Sequence, residues 1–205
     1  MPRAGTLAAL VAADGSGGEA FVRRLAAPGV LTRDLADAVH SVCVLHGRHP
    51  GVIDHALART VCPADWLVEA AHAFAEERAY LARLTSAAGP LPSTPGQAES
   101  AAAVAGQRHA FDMLVASDRA GCALGAAAAL VLDWRAIRGV LDVAAHRFGV
   151  TEAACALPGA AAILADAPAS VAIERAQGFA AQQVLAQHRG LWQLLESRAV
   201  AREHA

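Results

Sequence analysis

The run Ser117–Gly149, SDRAGCALGAAAALVLDWRAIRGVLDVAAHRFG, constrains the fold more tightly than any other stretch of the chain. It reads as one long helix that is small or apolar on nearly every side, and a helix apolar all round belongs at the centre of a fold. The same run carries Asp133 and His146. Ionisable groups on a buried helix must be paired, neutralised or used. The run is therefore the expected axis of the molecule and the first place to look for chemistry.

Composition agrees with a helical fold. Ala supplies 54 of the 205 residues, and it is the strongest helix former. A chain of this length is enough for one domain with a sizeable core. Lys and Asn are absent, so every basic residue is Arg. That excludes a Schiff-base lysine, a P-loop lysine and a Ser-Lys dyad. It excludes N-glycosylation and a Cys-His-Asn arrangement as well. The formal net charge is −2 and Arg23-Arg24 is the only basic doublet, which argues against nucleic acid as a principal partner.

Four cysteines, Cys43, Cys62, Cys122 and Cys155, show no CxxC spacing. Each has apolar neighbours, and we read them as reduced, small hydrophobes. No segment reads as a membrane span. Gly121–Leu132 is apolar over only 12 residues, against roughly 20 needed, and Ala153–Ile173 is interrupted by Pro158, Asp166 and Pro168. Arg3 precedes Thr6–Ala13, too short a core for a signal peptide, so the cytoplasm is the expected compartment. A second copy of the chain is the partner that the sequence leaves open.

Punctuation divides the rest. Residues 1–30 read as a Gly-containing lead-in of one or two short helices, and 31–200 as a single bundle domain. Thr32 is the expected N-cap of a helix running to about Gly47. Pro50 starts a short helix ending near Val61, and Ala64–Ala87 is unbroken by Gly or Pro. Gly89–Gly96 (GPLPSTPG) is the clearest loop. A helix from Gln97 to Val115 leads into the central one, Pro168 opens a last helix to about Arg198, and the tail Arg202–Ala205 is expected to fray. The prediction is an all-α bundle of about six or seven helices around a buried central helix.

At 100° per residue, the ionisable groups that fall on or beside apolar stripes are His46, Glu77, Arg78, Arg108, Asp133 and His146. Within the central helix, Gly121, Gly125, Ala128, Leu132, Gly139 and Val143 form a narrow small-residue groove. The face Ile173, Ala180, Val184 and Leu191 of the last helix is the expected filler of that groove. Two readings of the inward groups follow. In the first they form a structural Arg/carboxylate network, with Glu77, Asp118 and Asp133 available to Arg78 and Arg108. In the second, His46, Glu77, Asp133 and His146 bind a metal, with iron or manganese as the cofactor.

Other patterns are weaker. Glu69 and His72 have the ExxH spacing of ferritin-like di-metal proteins, but they cluster with Glu76 and Arg83 opposite the apolar stripe, as a solvated face does. HGRHPGVIDH, His46–His55, gathers three histidines and Asp54 at a helix break. Gly15–Ala20 (GSGGEA) fits a dinucleotide loop if Thr6–Ala13 is a strand, yet the parallel strands such a loop requires are missing.

In order, His46–His55, Trp66-Leu67 with Phe74–Arg78 (FAEER), Pro92–Gln97 (PSTPGQ), Gln107–Ala110 (QRHA), Ser117–Ala127 and Asp133-Trp134 resemble a family of uncharacterised bacterial proteins known only as a domain of unknown function. The resemblance spans residues 33–149. It implies a self-contained domain and carries no activity, cofactor or catalytic residue with it. The likeness to ferritin-like bundles is architectural. The first functional expectation is a non-enzymatic scaffold or interaction module. The alternative is a metal- or small-ligand-binding bundle, extending to a di-metal oxidoreductase.

Overall fold

The computed structural model describes residues 5–166 and 168–204. Among them are nine α-helices and no strand: α1 (Gly5–Asp14), α2 (Ala20–Leu25), α3 (Thr32–His46), α4 (Val52–Arg59), α5 (Asp65–Ala88), α6 (Gln97–Ala116), α7 (Cys122–Phe148), α8 (Ala160–Ala165) and α9 (Val171–Glu203). A single 3-10 turn, Ser16–Gly18, joins α1 to α2. Seven of them, α3 to α9, follow residue 30 and match the predicted six or seven, and α1 and α2 are the short helices expected in the lead-in. None of the described helices is long and apolar enough to cross a membrane.

Helix α7 is the axis. It packs against α1 through α6 and against α9, and its buried residues occupy every side, from Cys122 through Ala126–Val131 to Trp134, Ile137, Leu141 and Ala145. Alanine makes this geometry possible, because small side chains let several helices approach one axis at once. The helix stops at Gly149, whose φ of 69° is left-handed, and the Val150 N–H returns to the Ala145 carbonyl at 2.9 Å, a glycine C-terminal cap.

Helices α7 and α9 run side by side in the same direction. A Cβ added at Gly121 would meet Ile173, and one at Gly125 would meet Gln177. Further along, Asp133 reaches His188. The predicted groove is thus filled from within the chain, with Ala180, Val184 and Leu191 of α9 buried. It is shorter than predicted. Gly139 is exposed and has nothing within 4 Å of an added Cβ.

Several local expectations need correction. Thr6–Ala13 is helical within α1, so the strand required by a dinucleotide loop does not exist. Thr32 is the first helical residue, and Leu31 stands at the N-cap. The chain end does not fray at Arg202, because that side chain is buried against Asp34 and Asp37. Cys62 and Cys155 are exposed, and Cys122 alone of the four is buried. Arg3 lies outside the described residues. Segment 5–25 is part of the packing, with Phe21, Val22 and Leu25 in the core.

Candidate functional site

The deepest polar feature is a hydrogen-bonded chain through four elements. Asp133 of α7 is at its centre. One carboxylate oxygen accepts from the Ser16 N–H at 2.7 Å. The other accepts from Ser16 Oγ at 2.6 Å and from His188 Nδ1 at 2.7 Å. Ser16 Oγ in turn accepts from Trp192 Nε1 at 2.9 Å. At the far side, His188 Nε2 faces His46 Nε2 of α3 at 3.0 Å. Ser16, His46, Asp133, His188 and Trp192 are all buried.

The distance between the two histidines limits their charge. Two Nε2 atoms at hydrogen-bond distance hold one proton between them, since two N–H groups cannot meet head to head. The pair therefore carries at most one positive charge, beside one buried carboxylate. The surroundings of His46 are aromatic: Phe111 lies at 5.3 Å between ring centroids and Trp134 stands edge-on at 5.5 Å. Burial, reinforced by the neighbouring His188, holds the His46 imidazole well below the usual histidine value of 6.5. Burial works the other way on Asp133, but the hydrogen bonds from His188 and Ser16 outweigh it and hold the carboxyl below its ordinary value.

These directions fix a pH dependence. His46 is neutral in the fold and free to protonate once unfolded, so unfolding takes up a proton below pH 6.5. Stability then falls with pH, by up to about 1.4 kcal/mol per unit. Asp133 acts in a lower window, its contribution being present above the unfolded carboxyl value of 3.8 and lost as pH drops further. In urea titrations at pH 7, 6 and 5, His46→Gln is expected to shrink the wild-type loss by about 1–2 kcal/mol. Parallel losses in the two proteins would show that His46 titrates alike folded and unfolded.

Trp134 links this chain to a second polar centre. Its indole N–H donates to Glu77 Oε2 at 2.9 Å, and Arg138 donates to Glu77 Oε1 at 2.5 Å. Arg138 also donates to Asp142 at 2.7 Å and to the Ala153 carbonyl, and its guanidinium lies 4.3 Å from the Tyr80 ring centroid. A third centre joins α9 to α3. Arg198 and Arg202 both bond Asp37, at 2.9 and 2.6 Å, and Arg202 also bonds Asp34 at 2.8 Å.

The residues predicted as metal ligands separate into three places. His46 and Asp133 both reach His188, and Glu77 is one indole away. His146 is exposed in the last turn of α7, one turn beyond the half-buried Val143. Among the described residues no group of three or more His, Cys, Asp or Glu side chains is arranged to hold a metal ion. The donor set explains why: Glu77 is engaged by Trp134 and Arg138, and Asp133 by Ser16 and His188.

Other expectations fall as follows. Arg78 pairs with Asp54, at 2.9 Å, and not with Glu77. Arg108 is only half-buried, and Asp118 is an exposed partner of Arg59. Glu69 and His72 lie on the solvated face, as read from the sequence. In His46–His55, Asp54 accepts from the Gly51 N–H at 2.8 Å and caps α4, while His49 is exposed. His188, Ser16, Arg138, Trp192 and Arg198 were not anticipated. For His188 a signal existed. It continues the stripe Val184, Leu191 and Leu195 at helical spacing.

Comparison with known proteins adds a family and nothing about chemistry. The family described as a family of unknown function (DUF6975) matches residues 11–203. No curated protein matches the chain, and no solved structure does.

Proposed function

The chain belongs to this family of unknown function, and we propose that it works as a non-enzymatic helical scaffold or interaction module whose inward charged groups are structural. The observation that carries this reading is how the most buried carboxylates are spent. Asp133 binds Ser16 and His188, Glu77 binds Trp134 and Arg138, and Asp37 binds Arg198 and Arg202. Each centre ties α7 or α9 to an element distant in sequence. A buried charge held this way fixes which turn of one helix faces which turn of the next. In a bundle so rich in alanine, the apolar contacts alone discriminate poorly between registers one turn apart.

Elemental analysis separates this reading from metal binding. Protein produced in iron- and manganese-supplemented medium is expected to retain far less than one metal per chain after dialysis, and to melt at the same temperature with and without chelator. Near-stoichiometric metal that His46→Gln or Asp133→Asn removes, and that His72→Ala retains, would overturn the proposal in favour of a metal-binding bundle.

A further inference from the structure

Helices α7 and α9 begin side by side, and the connection between α4 and α5 runs past their amino ends. Two adjoining hollows of about 420 and 440 Å³ lie there, with Thr60, Leu124 and Ile173 in the walls of both. Arg59 and Arg119 line the first, together with Ala123 and Leu124 from the first turn of α7. Gln177 of α9 lines the second. The two hollows make one cleft at the start of the axial helix.

The start of α7 is uncapped. Gly121 holds the N-cap position at a left-handed φ of 93° and has no side chain to offer. The Cys122 N–H reaches the Arg119 carbonyl at 3.1 Å, and the Gly125 N–H reaches that of Gly121 at 2.8 Å. The N–H groups of Ala123 and Leu124 have no acceptor among the described residues, as the first turn of a helix leaves them unless something is bound there. A second, independent group stands unpartnered at the same place. Gln177 is only 7% exposed, and its amide bonds no other group among the described residues. Its Cα is level with Gly125, while its Cγ lies 3.4 Å from where a Cβ on Gly121 would stand. The side chain therefore leans towards the amino ends of the two parallel helices, as helical side chains do, and turns its amide to the cleft. Buried side-chain amides are nearly always satisfied in native proteins, and a ligand in the cleft would satisfy this one.

We propose that this cleft binds a phosphate group, free or carried as the monoester of a small molecule, at the amino end of α7. The Ala123 and Leu124 N–H groups and the Gln177 amide supply neutral donors at the positive end of the helix dipole, and Arg59 and Arg119 supply charge. Both guanidinium groups are free to turn to it. Arg119 is exposed, and its guanidinium, 5.9 Å from the Phe179 ring centroid, bonds no acceptor among the described residues. Arg59 pairs with the exposed Asp118 at 3.0 Å, and an exposed pair gives up its partner at little cost. The other carboxylate in the cleft, Asp166, accepts from the Trp66 indole at 3.0 Å. The body of an ester would lie against Leu124 and Ile173, in a volume within the usual range of about 300–1,000 Å³ for small-molecule sites. Such a site adds a ligand-responsive element to the scaffold without depending on that reading, and the His46–His188 chain takes no part in it.

Amide NMR titration of the full chain with inorganic phosphate, phenyl phosphate and acetate tests this, with ionic strength held constant by sodium chloride. Each probe is taken to about 20 mM, where a millimolar Kd still registers. The expected result is saturable shifts of the Ala123 and Leu124 amides and of the Gln177 side-chain amide with one or both phosphates, and far weaker binding of the singly charged acetate. Tighter binding of phenyl phosphate places an ester body against Leu124 and Ile173, whereas equal or tighter binding of inorganic phosphate assigns the free ion. Gln177→Met keeps the length of the side chain and removes its amide; Arg119→Gln removes a charge at an exposed position and leaves the fold intact. Each is expected to raise Kd about fivefold or more, the loss of one hydrogen bond to a charged group. Absence of saturable shifts at Ala123 and Leu124 with both phosphates, acetate binding as tightly as phosphate, or an unchanged Kd in either variant, once folded, would overturn the proposal.

Discussion

Asp133→Ala is expected to cost about 3–5 kcal/mol, the range for breaking a buried charged pair from one side. The carboxylate accepts from the Ser16 N–H, the Ser16 hydroxyl and His188 Nδ1, and its loss strands all three donors in the core. Alanine also leaves space in the most crowded helix of the fold, which adds a cavity cost in the same direction. Ser16→Ala removes only the hydroxyl, keeps the backbone donor, and is expected to cost about 1–3 kcal/mol. Arg78→Ala is the useful contrast. Its pair with Asp54 is buried less completely, with side chains 10% and 13% exposed, and removal is expected to cost about 2 kcal/mol, below the range for a fully buried pair. Urea midpoints rank the three. A wild-type-like midpoint for Asp133→Ala would mean that water reaches this carboxylate and that the chain from Ser16 to His46 does not hold the bundle together.

The axis of the fold was legible because α7 is apolar on every side and bounded by glycines, and those are sequence properties. Buried positions on a single helix were legible for the same reason: His46, Glu77 and Asp133 fall on apolar stripes, and all three are buried. Partners were much less legible. A helical wheel gives the direction in which a side chain leaves its own helix, but not which turn of a distant helix it meets. Glu77 was therefore assigned to the nearest inward arginines by sequence, whereas its partner, Arg138, lies 61 positions away. Ser16 was hidden in a glycine-rich turn that reads as a connector. His188 sat on a visible stripe, but a long helix with polar residues dispersed around it gave that stripe little contrast. His146 differs in another way: it lies in the last turn of α7, where the side chain is exposed, and a wheel carries a stripe to the end of a helix whether or not anything covers it there.

Gly125→Leu is expected to destabilise the protein by about 3 kcal/mol or more, at or beyond the upper end of ordinary overpacking costs. Even the first atom of a new side chain has no room. A Cβ on Gly125 would lie 2.4 Å from Gln177 Cα, 2.4 Å from its carbonyl oxygen and 2.7 Å from its carbonyl carbon. Those are backbone atoms, so relief requires α9 to move away from α7 as a unit. Any such shift would also stretch the 2.7 Å contact between His188 and Asp133 two turns further along, which couples the two largest predicted effects. Gly139 lies on the same helix with open space around an added Cβ. There the helix-propensity penalty of glycine is all that remains, and Gly139→Ala is expected to stabilise by about 0.5–1 kcal/mol. Opposite signs for enlarging two glycines of one helix are a demanding outcome, read from urea midpoints with light scattering as a check on mass. A wild-type dimer that Gly125→Leu converts to an equally stable folded monomer would place this groove between two chains and refute the packing of α9 against it.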